Sequence, residues 1–271
     1  MNAPTITDHE FGLFRDLIYE LVGVNLSPAK KPLVVGRLNK RLRHHNLSSF
    51  HDYFRYITDR NDLIEQQMLV DLLTTNETYF FREHKHFDFV RDEVLPQVQL
   101  SSRPYRVWSA AASSGEEAYT LAMILADGLG VDRDWNILAT DINSQVLERA
   151  RRGSYPVEAA EKIPRNYLQH YCLKGVGGYE GTLAIDKKLR DKVQFQQLNL
   201  NRPWNAIGQF DQIFLRNVMI YFDLPTKQRL IDRLQTVLRP GGYLFVGHSE
   251  GLSSISSELK LLRPSIYQKI K

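Results

Sequence analysis

From Tyr105 onward the chain alternates short apolar runs with helical patterns, and that alternation restricts it to a parallel sheet covered on both faces. Strands are predicted over 105–110, 136–140, 193–198, 210–215 and 243–247, with helices over 116–129, 144–151 and 226–238. Arg239-Pro240-Gly241-Gly242 reads as a helix stop leading straight into the last strand. One stretch breaks the alternation. Gly175, Gly177, Gly178 and Gly181 precede the short run 182–185, which predicts a small antiparallel β-subdomain inserted at 174–192.

Ahead of the sheet, residues 1–75 read as an all-helical domain. Thr7 and Glu10 fit a capping box, and Phe11, Phe14, Leu17, Ile18 and Leu21 recur at helical spacing before Gly23 stops the pattern. Pro32 suits a helix start, followed by the stripe Val34, Leu38, Leu42. Two more helices are expected around Phe50, Tyr53, Phe54, Ile57 and around Ile64, Met68, Leu69, Leu72, Leu73. On the second helix Arg37, Lys40, Arg41 and His44 lie to one side of the apolar stripe. Such a basic face is either a solvated surface or a docking face for an acidic partner. The net charge of +4 permits that partner without requiring it.

The single cysteine, Cys172, excludes an internal disulfide and a cysteine-rich zinc site, and a reducing cytoplasmic compartment is the natural reading. The start MNAPTITDHEF lacks the basic and apolar regions of a signal peptide. No apolar run approaches the roughly 18 residues that span a bilayer, so no membrane insertion is expected. The eight His show no ligand spacing, and no metal is expected.

In open parallel sheets ligands bind beyond the carboxyl ends of the strands. The first such end, VWSAAASSGEEAY, is a strand, a turn of small residues and a helix, which lets backbone approach a ligand closely. Glu116 and Glu117 sit where a pyrophosphate would rest in a dinucleotide fold, and like charges repel. A ligand with a cationic amino group and no phosphate fits better, and S-adenosylmethionine is such a ligand. Alternatively, both acids merely complement the positive helix end. At the second strand end Asp141 suits two ribose hydroxyls, or caps a helix unless Asn143 or Ser144 does so. Asn199 and Leu200 at the third end suit the edge and face of an adenine, and Arg216-Asn217 follows the fourth.

The runs VWSAAASSGEEAY, TDIN, LNL, FLRNVMIYF and LRPGGYLFVGHSE, together with TNETYFFRE, resemble the CheR family of chemotaxis-receptor glutamate methyltransferases over nearly the whole chain. Glu77 and Tyr79 fall at tolerant positions of the family's TNxTxFFR pattern. The resemblance implies a Rossmann-like α/β domain at 76–271 that binds S-adenosylmethionine and releases S-adenosylhomocysteine. It implies a cofactor pocket lined by Asn76, Thr78, Arg82, Glu117, Asp141, Asn199, Leu200, Arg216 and Asn217, with Glu116 as a capping or supporting group. It also implies that Arg82 and Tyr221 orient the glutamate; taken alone, Arg82 reads as a surface ion pair and Tyr221 as a core aromatic.

The implied partners are the cytoplasmic helices of membrane-embedded chemoreceptors, met by Arg37, Lys40 and Arg41, and a receptor C-terminal peptide added to the outer strand of the β-subdomain. A cytoplasmic monomer associated with receptor arrays is expected. Two rivals remain at this stage: a nucleic-acid methyltransferase and an inactive receptor adaptor. Against the first, Arg216-Asn217-Val218-Met219 is not the Asp/Asn-Pro-Pro-aromatic motif of base amino methylation, and Cys172 is at no suitable strand end for cytosine chemistry. Against the second stands the presence of Arg82 and Tyr221.

Overall fold

The computed structural model describes residues 5–204, 207–255 and 257–270; the outermost ends of both expected domains, 1–4 and 271, lie outside them. Helices α1 (Asp8–Val22), α2 (Lys31–His44), α3 (Phe50–Asp59) and α4 (Leu63–Leu73) form the front bundle. Local chemistry fixes its helix ends. Thr7 and Glu10 make the reciprocal capping box of α1, and Gly23 closes that helix at φ +78°. Ser49 caps α3 and Asp62 caps α4. Phe14, Ile18, Val34, Leu38, Phe50, Tyr53 and Ile57 are all completely buried between the helices.

The segment ahead of the sheet is helical: α5 (Lys85–Phe89), a π turn at Val90–Val94 and α6 (Leu95–Gln99). Then come β1 (Tyr105–Ala110), α7 (Glu116–Leu129), β2 (Trp135–Asp141), α8 (Ser144–Arg152), β3 (Ser154–Pro156), α9 (Arg165–Tyr171), β4 (Cys172–Lys174) and β5 (Thr182–Ile185). The chain continues through α10 (Lys187–Arg190), β6 (Val193–Gln197), β7 (Phe210–Leu215), α11 (Leu224–Val237), β8 (Leu238–Val246), β9 (Leu259–Arg263) and β10 (Ile266–Lys269). The main sheet has the order β6-β2-β1-β7-β8-β10-β9. Pairing is parallel from β6 to β8, and β10 runs antiparallel to both β8 and β9. Its two faces carry separate cores, one under α7 and the other under α11. This is the α/β architecture predicted, with the helical bundle in front. No helix among the described residues is long and apolar enough to cross a membrane.

Three expectations need correction. The β-subdomain is a sheet of order β3-β5-β4, so it begins near Ser154 rather than at residue 174. Two of its strands have only three residues, too few to show a two-residue period. The last parallel strand starts at Leu238: Phe210 pairs with Leu238 and Gln212 with Tyr243, so Arg239–Gly242 bulges out of β8 instead of preceding it. The basic face of α2 is also not a free surface. Arg37 donates to the carbonyls of Leu72 and Thr74, and Arg41 binds Glu65 in a two-pronged ion pair at 2.8 and 2.6 Å. Tyr53 adds a hydrogen bond to the same carboxylate at 2.6 Å. Lys40 alone of the three expected contacts is exposed.

The front bundle closes over the carboxyl ends of the strands. Tyr19 donates to Asp223, the Asn25 N–H to the Tyr221 carbonyl, Gln67 to the Ile142 carbonyl, and Asn143 to the Asp71 carbonyl. The consequence is a roofed cavity, open at one side, where an open sheet would offer only a crevice.

Candidate active site

The four strand ends that carry the polar residues belong to adjacent strands, β6, β2, β1 and β7. Between them and the bundle lies a cavity of about 330 Å³, within the range of small-ligand sites. All ten residues singled out in the sequence line it: Asn76, Thr78, Arg82, Glu117, Asp141, Asn199, Leu200, Arg216, Asn217 and Tyr221.

The turn after β1 takes its shape from backbone that few residues accept. Ala111, Ser113 and Gly115 have φ of 67°, 50° and 95°, left-handed values that small residues tolerate best. A Cβ at Gly115 would lie 2.9 Å from Ala150 Cβ and 3.1 Å from the Tyr155 hydroxyl. Gly115→Ala is therefore expected to lower stability by about 1–3 kcal/mol, read as a lower urea midpoint with an unchanged slope; an unchanged midpoint rejects this account.

Asp141 takes the Ser113 N–H at 2.8 Å on one oxygen and the Asn143 N–H at 2.9 Å on the other. Burial pushes its carboxyl up, and these N–H donors oppose the shift. Asn143 caps α8, so Asp141 does not. Each Asp141 oxygen keeps a second lone pair beside the cavity.

Glu117 accepts the Ser109 hydroxyl at 2.6 Å and an Arg216 N–H at 2.9 Å. Burial pushes its carboxyl up, while Arg216 and Ser109 pull it back. Glu116 is bonded instead to Ser114, at 2.7 Å.

Arg216 lines the cavity and is also bound from behind by acids. Its guanidinium is 2% exposed, binds Glu117 and lies 3.2 Å from Glu83. It also donates to the Arg82 carbonyl and covers the Phe87 ring. Its two terminal nitrogens thus hold Glu117 and the Arg82 backbone in place, while Nε has no partner among the described residues. Asn199 also lines the cavity, and its amide donates to the Leu21 carbonyl at 2.7 Å and accepts the Asn201 N–H at 2.9 Å. It thereby ties the strand end to α1.

Arg82, partly exposed, donates to the Glu77 carbonyl at 2.6 Å, and its guanidinium lies 5.8 Å from the centre of the Tyr79 ring. Tyr221 ends a single turn, Met219–Tyr221, and is held from behind by the Asn25 N–H.

Two acids escaped the sequence reading. Glu83 accepts the Asn217 side-chain amide at 3.1 Å. Burial pushes its carboxyl up, but Arg216, Asn217 and His248 bring it below the ordinary value. Glu250 accepts the N–H groups of Asn217, Ile220 and Gly247. Both lie inside runs already conspicuous, TNETYFFRE and LFVGHSE, where each reads as one more surface acid.

The donor set fits S-adenosylmethionine better than a phosphate ligand: carboxylates stand at the start of α7, and Asp141 stands beside apolar Ile142, Leu198 and Leu200. Comparison with known proteins agrees. The sequence profile "CheR methyltransferase, SAM binding domain" matches residues 76–267, and "CheR methyltransferase, all-alpha domain" matches residues 9–74. Chemotaxis protein methyltransferase 2 of Pseudomonas aeruginosa is 43% identical, covering 96% of this chain and 93% of that protein. The chemotaxis protein methyltransferases of Escherichia coli and Salmonella typhimurium are 40% and 38% identical, each covering 97% of this chain and 91% and 90% of their own lengths. With both domains matched and the cavity formed at their junction, the chain belongs to the CheR methyltransferase family.

Proposed function

We infer that this chain is an S-adenosylmethionine-dependent methyltransferase of chemotaxis that esterifies glutamate side chains of chemoreceptors. The observation that carries the reading is the cavity itself, which buried Asp141 lines together with the partly exposed Glu117, Arg82 and Tyr221. Bound S-adenosylmethionine supplies an electrophilic methyl group on a positively charged sulfur. Glu117, held by Ser109 and Arg216, offers its remaining lone pairs to the cofactor's ammonium group. Asp141 offers its own to the ribose hydroxyls, and Leu200 supplies an apolar wall for the base.

The incoming glutamate, with an ordinary pKa of about 4.3, is ionised at neutral pH, so no general base is needed. The chain must strip water from that carboxylate and hold it in line, and positioning of this kind supplies roughly 7–11 kcal/mol of a barrier. A guanidinium matches a carboxylate in shape and charge. Arg82 is assigned that role, with the Tyr221 hydroxyl giving a further hydrogen bond. Receptor helices then approach past Lys40 and the cavity mouth. A receptor C-terminal peptide is assigned to the β-subdomain, whose edge strand β4 and following turn expose Leu173, Val176 and Tyr179.

Arg82→Ala is expected to cut methyl transfer about 100-fold or more while leaving circular dichroism unchanged. The assay incubates labelled cofactor with receptor cytoplasmic fragments and counts base-labile methyl esters. Full retained activity removes Arg82 from the mechanism, and base-stable label on nucleic acid instead overturns the substrate assignment.

A further inference from the structure

Behind the cofactor cavity, on the far side of Glu83, lies a group of side chains that methyl transfer does not use. His86 is 1% exposed, and neither of its ring nitrogens has a hydrogen-bond partner among the described residues. An unpartnered polar group at that depth is costly. Its Nδ1 lies 3.6 Å from Glu83 Oε2, and His248 Nε2 lies 4.0 Å from the same oxygen. One donor atom from each residue falls within 4.8 Å of the others. A surface cavity of about 540 Å³, lined by His86, His248, Asp92, Glu93 and Arg263, opens onto the pair of imidazoles.

We propose that Glu83, His86 and His248 form a binding site for a divalent transition-metal ion of the zinc class. Two imidazoles and one carboxylate are a common donor set for such ions, with the remaining position left to water. Bond lengths near 2.0–2.2 Å require the three donor atoms to draw together. His86 is fixed on α5, Glu83 is held by Asn217, and His248, 53% exposed just beyond β8, supplies the movement.

The site also has a consequence for the cavity next to it, and this part rests on the cofactor reading above. Glu83 carries charge to Arg216 as well as to the histidines. A metal ion drawing on that carboxylate leaves Arg216 more dependent on Glu117, and Glu117 less available to a cationic ligand. The ion's own charge acts in the same direction. Metal and cofactor therefore oppose each other, and by linkage each weakens the other by the same factor.

The experiment titrates tag-free, chelator-treated full-length protein with Co²⁺, following visible absorption, and then displaces the Co²⁺ with Zn²⁺. The expected result is one equivalent with the spectrum of a four- or five-coordinate ion. His248→Ala, an exposed change that leaves the fold intact, is expected to weaken binding about 10-fold or more. Absence of the spectrum, or an equal affinity in His248→Ala, overturns the site. Repeating the Co²⁺ titration in saturating S-adenosylhomocysteine tests the coupling alone. A lower affinity supports it, and an unchanged one removes the coupling but leaves the metal site standing.

Discussion

Arg216→Met is expected to destabilise the folded chain by about 3–5 kcal/mol. The guanidinium is surrounded by two acids, Glu117 at 2.9 Å and Glu83 at 3.2 Å, each only 13% exposed at the side chain. Met fills the same space but leaves two carboxylates in a poorly solvated site with no cation between them. Both acids then acquire folded-state pKa values above their unfolded ones. A carboxyl raised in this way contributes stability below its unfolded pKa, and that contribution is lost as pH rises through the folded value. The deficit of the variant is therefore smaller near pH 5 than near pH 8, on either side of where a strongly raised carboxyl titrates. Urea unfolding at the two pH values measures this. A deficit independent of pH contradicts the assignment of the loss to stranded charge. Adding Glu117→Gln to the variant removes one of the stranded charges, so the double variant is expected to be more stable than Arg216→Met alone. That non-additivity separates charge from packing.

How much of this site can be read from the sequence depends on the distance between partners along the chain. The strand ends were legible because each couples an apolar run to the polar residue that follows it, as in ILATDIN and IFLRN. Their meeting in one cavity follows from adjacency in a parallel sheet. The Arg216–Glu83 contact spans more than 130 residues and nothing local announces it, so the acids that hold Arg216 from behind could not be read beside its place at the strand end. The same holds on α2, where the partner of Arg41 is Glu65 on α4. There a pattern of cations on a helix face was visible, but the acid that takes Arg41 inward was not. The C-terminal hairpin of β9 and β10 was missed for another reason. Pro264 interrupts the apolar run, and Ser265, at φ +65°, makes the turn without the glycine that would have marked it.

Glu250→Ala carries the second large effect, through backbone and not through charge. One oxygen of this 5% exposed carboxylate accepts the N–H groups of Asn217 at 2.7 Å and Gly247 at 2.8 Å, and the other accepts Ile220 N–H at 3.0 Å. It thus joins the ends of β7 and β8 and holds Asn217 at φ +56°, where a residue other than glycine needs support. Alanine leaves three N–H groups without this acceptor, at about 1–3 kcal/mol for each that stays dry. A loss of about 3–5 kcal/mol is expected once the turn relaxes towards water. Glu250→Gln is the more informative change because it keeps the shape. Its single carbonyl oxygen can still serve Asn217 and Gly247, but its NH₂ then faces the Ile220 N–H, donor against donor. Ile220 immediately precedes Tyr221, so the strain falls on the residue assigned to steer the glutamate. Glu250→Gln is therefore expected to fold and bind S-adenosylhomocysteine nearly as the parent does, while kcat falls about 10-fold or more, as displacement of a positioning group predicts. Calorimetry with S-adenosylhomocysteine and a methyl-ester assay separate the two effects. Equal losses of binding and turnover make Glu250 merely structural, and full turnover in Glu250→Gln shows that Tyr221 does not depend on this carboxylate.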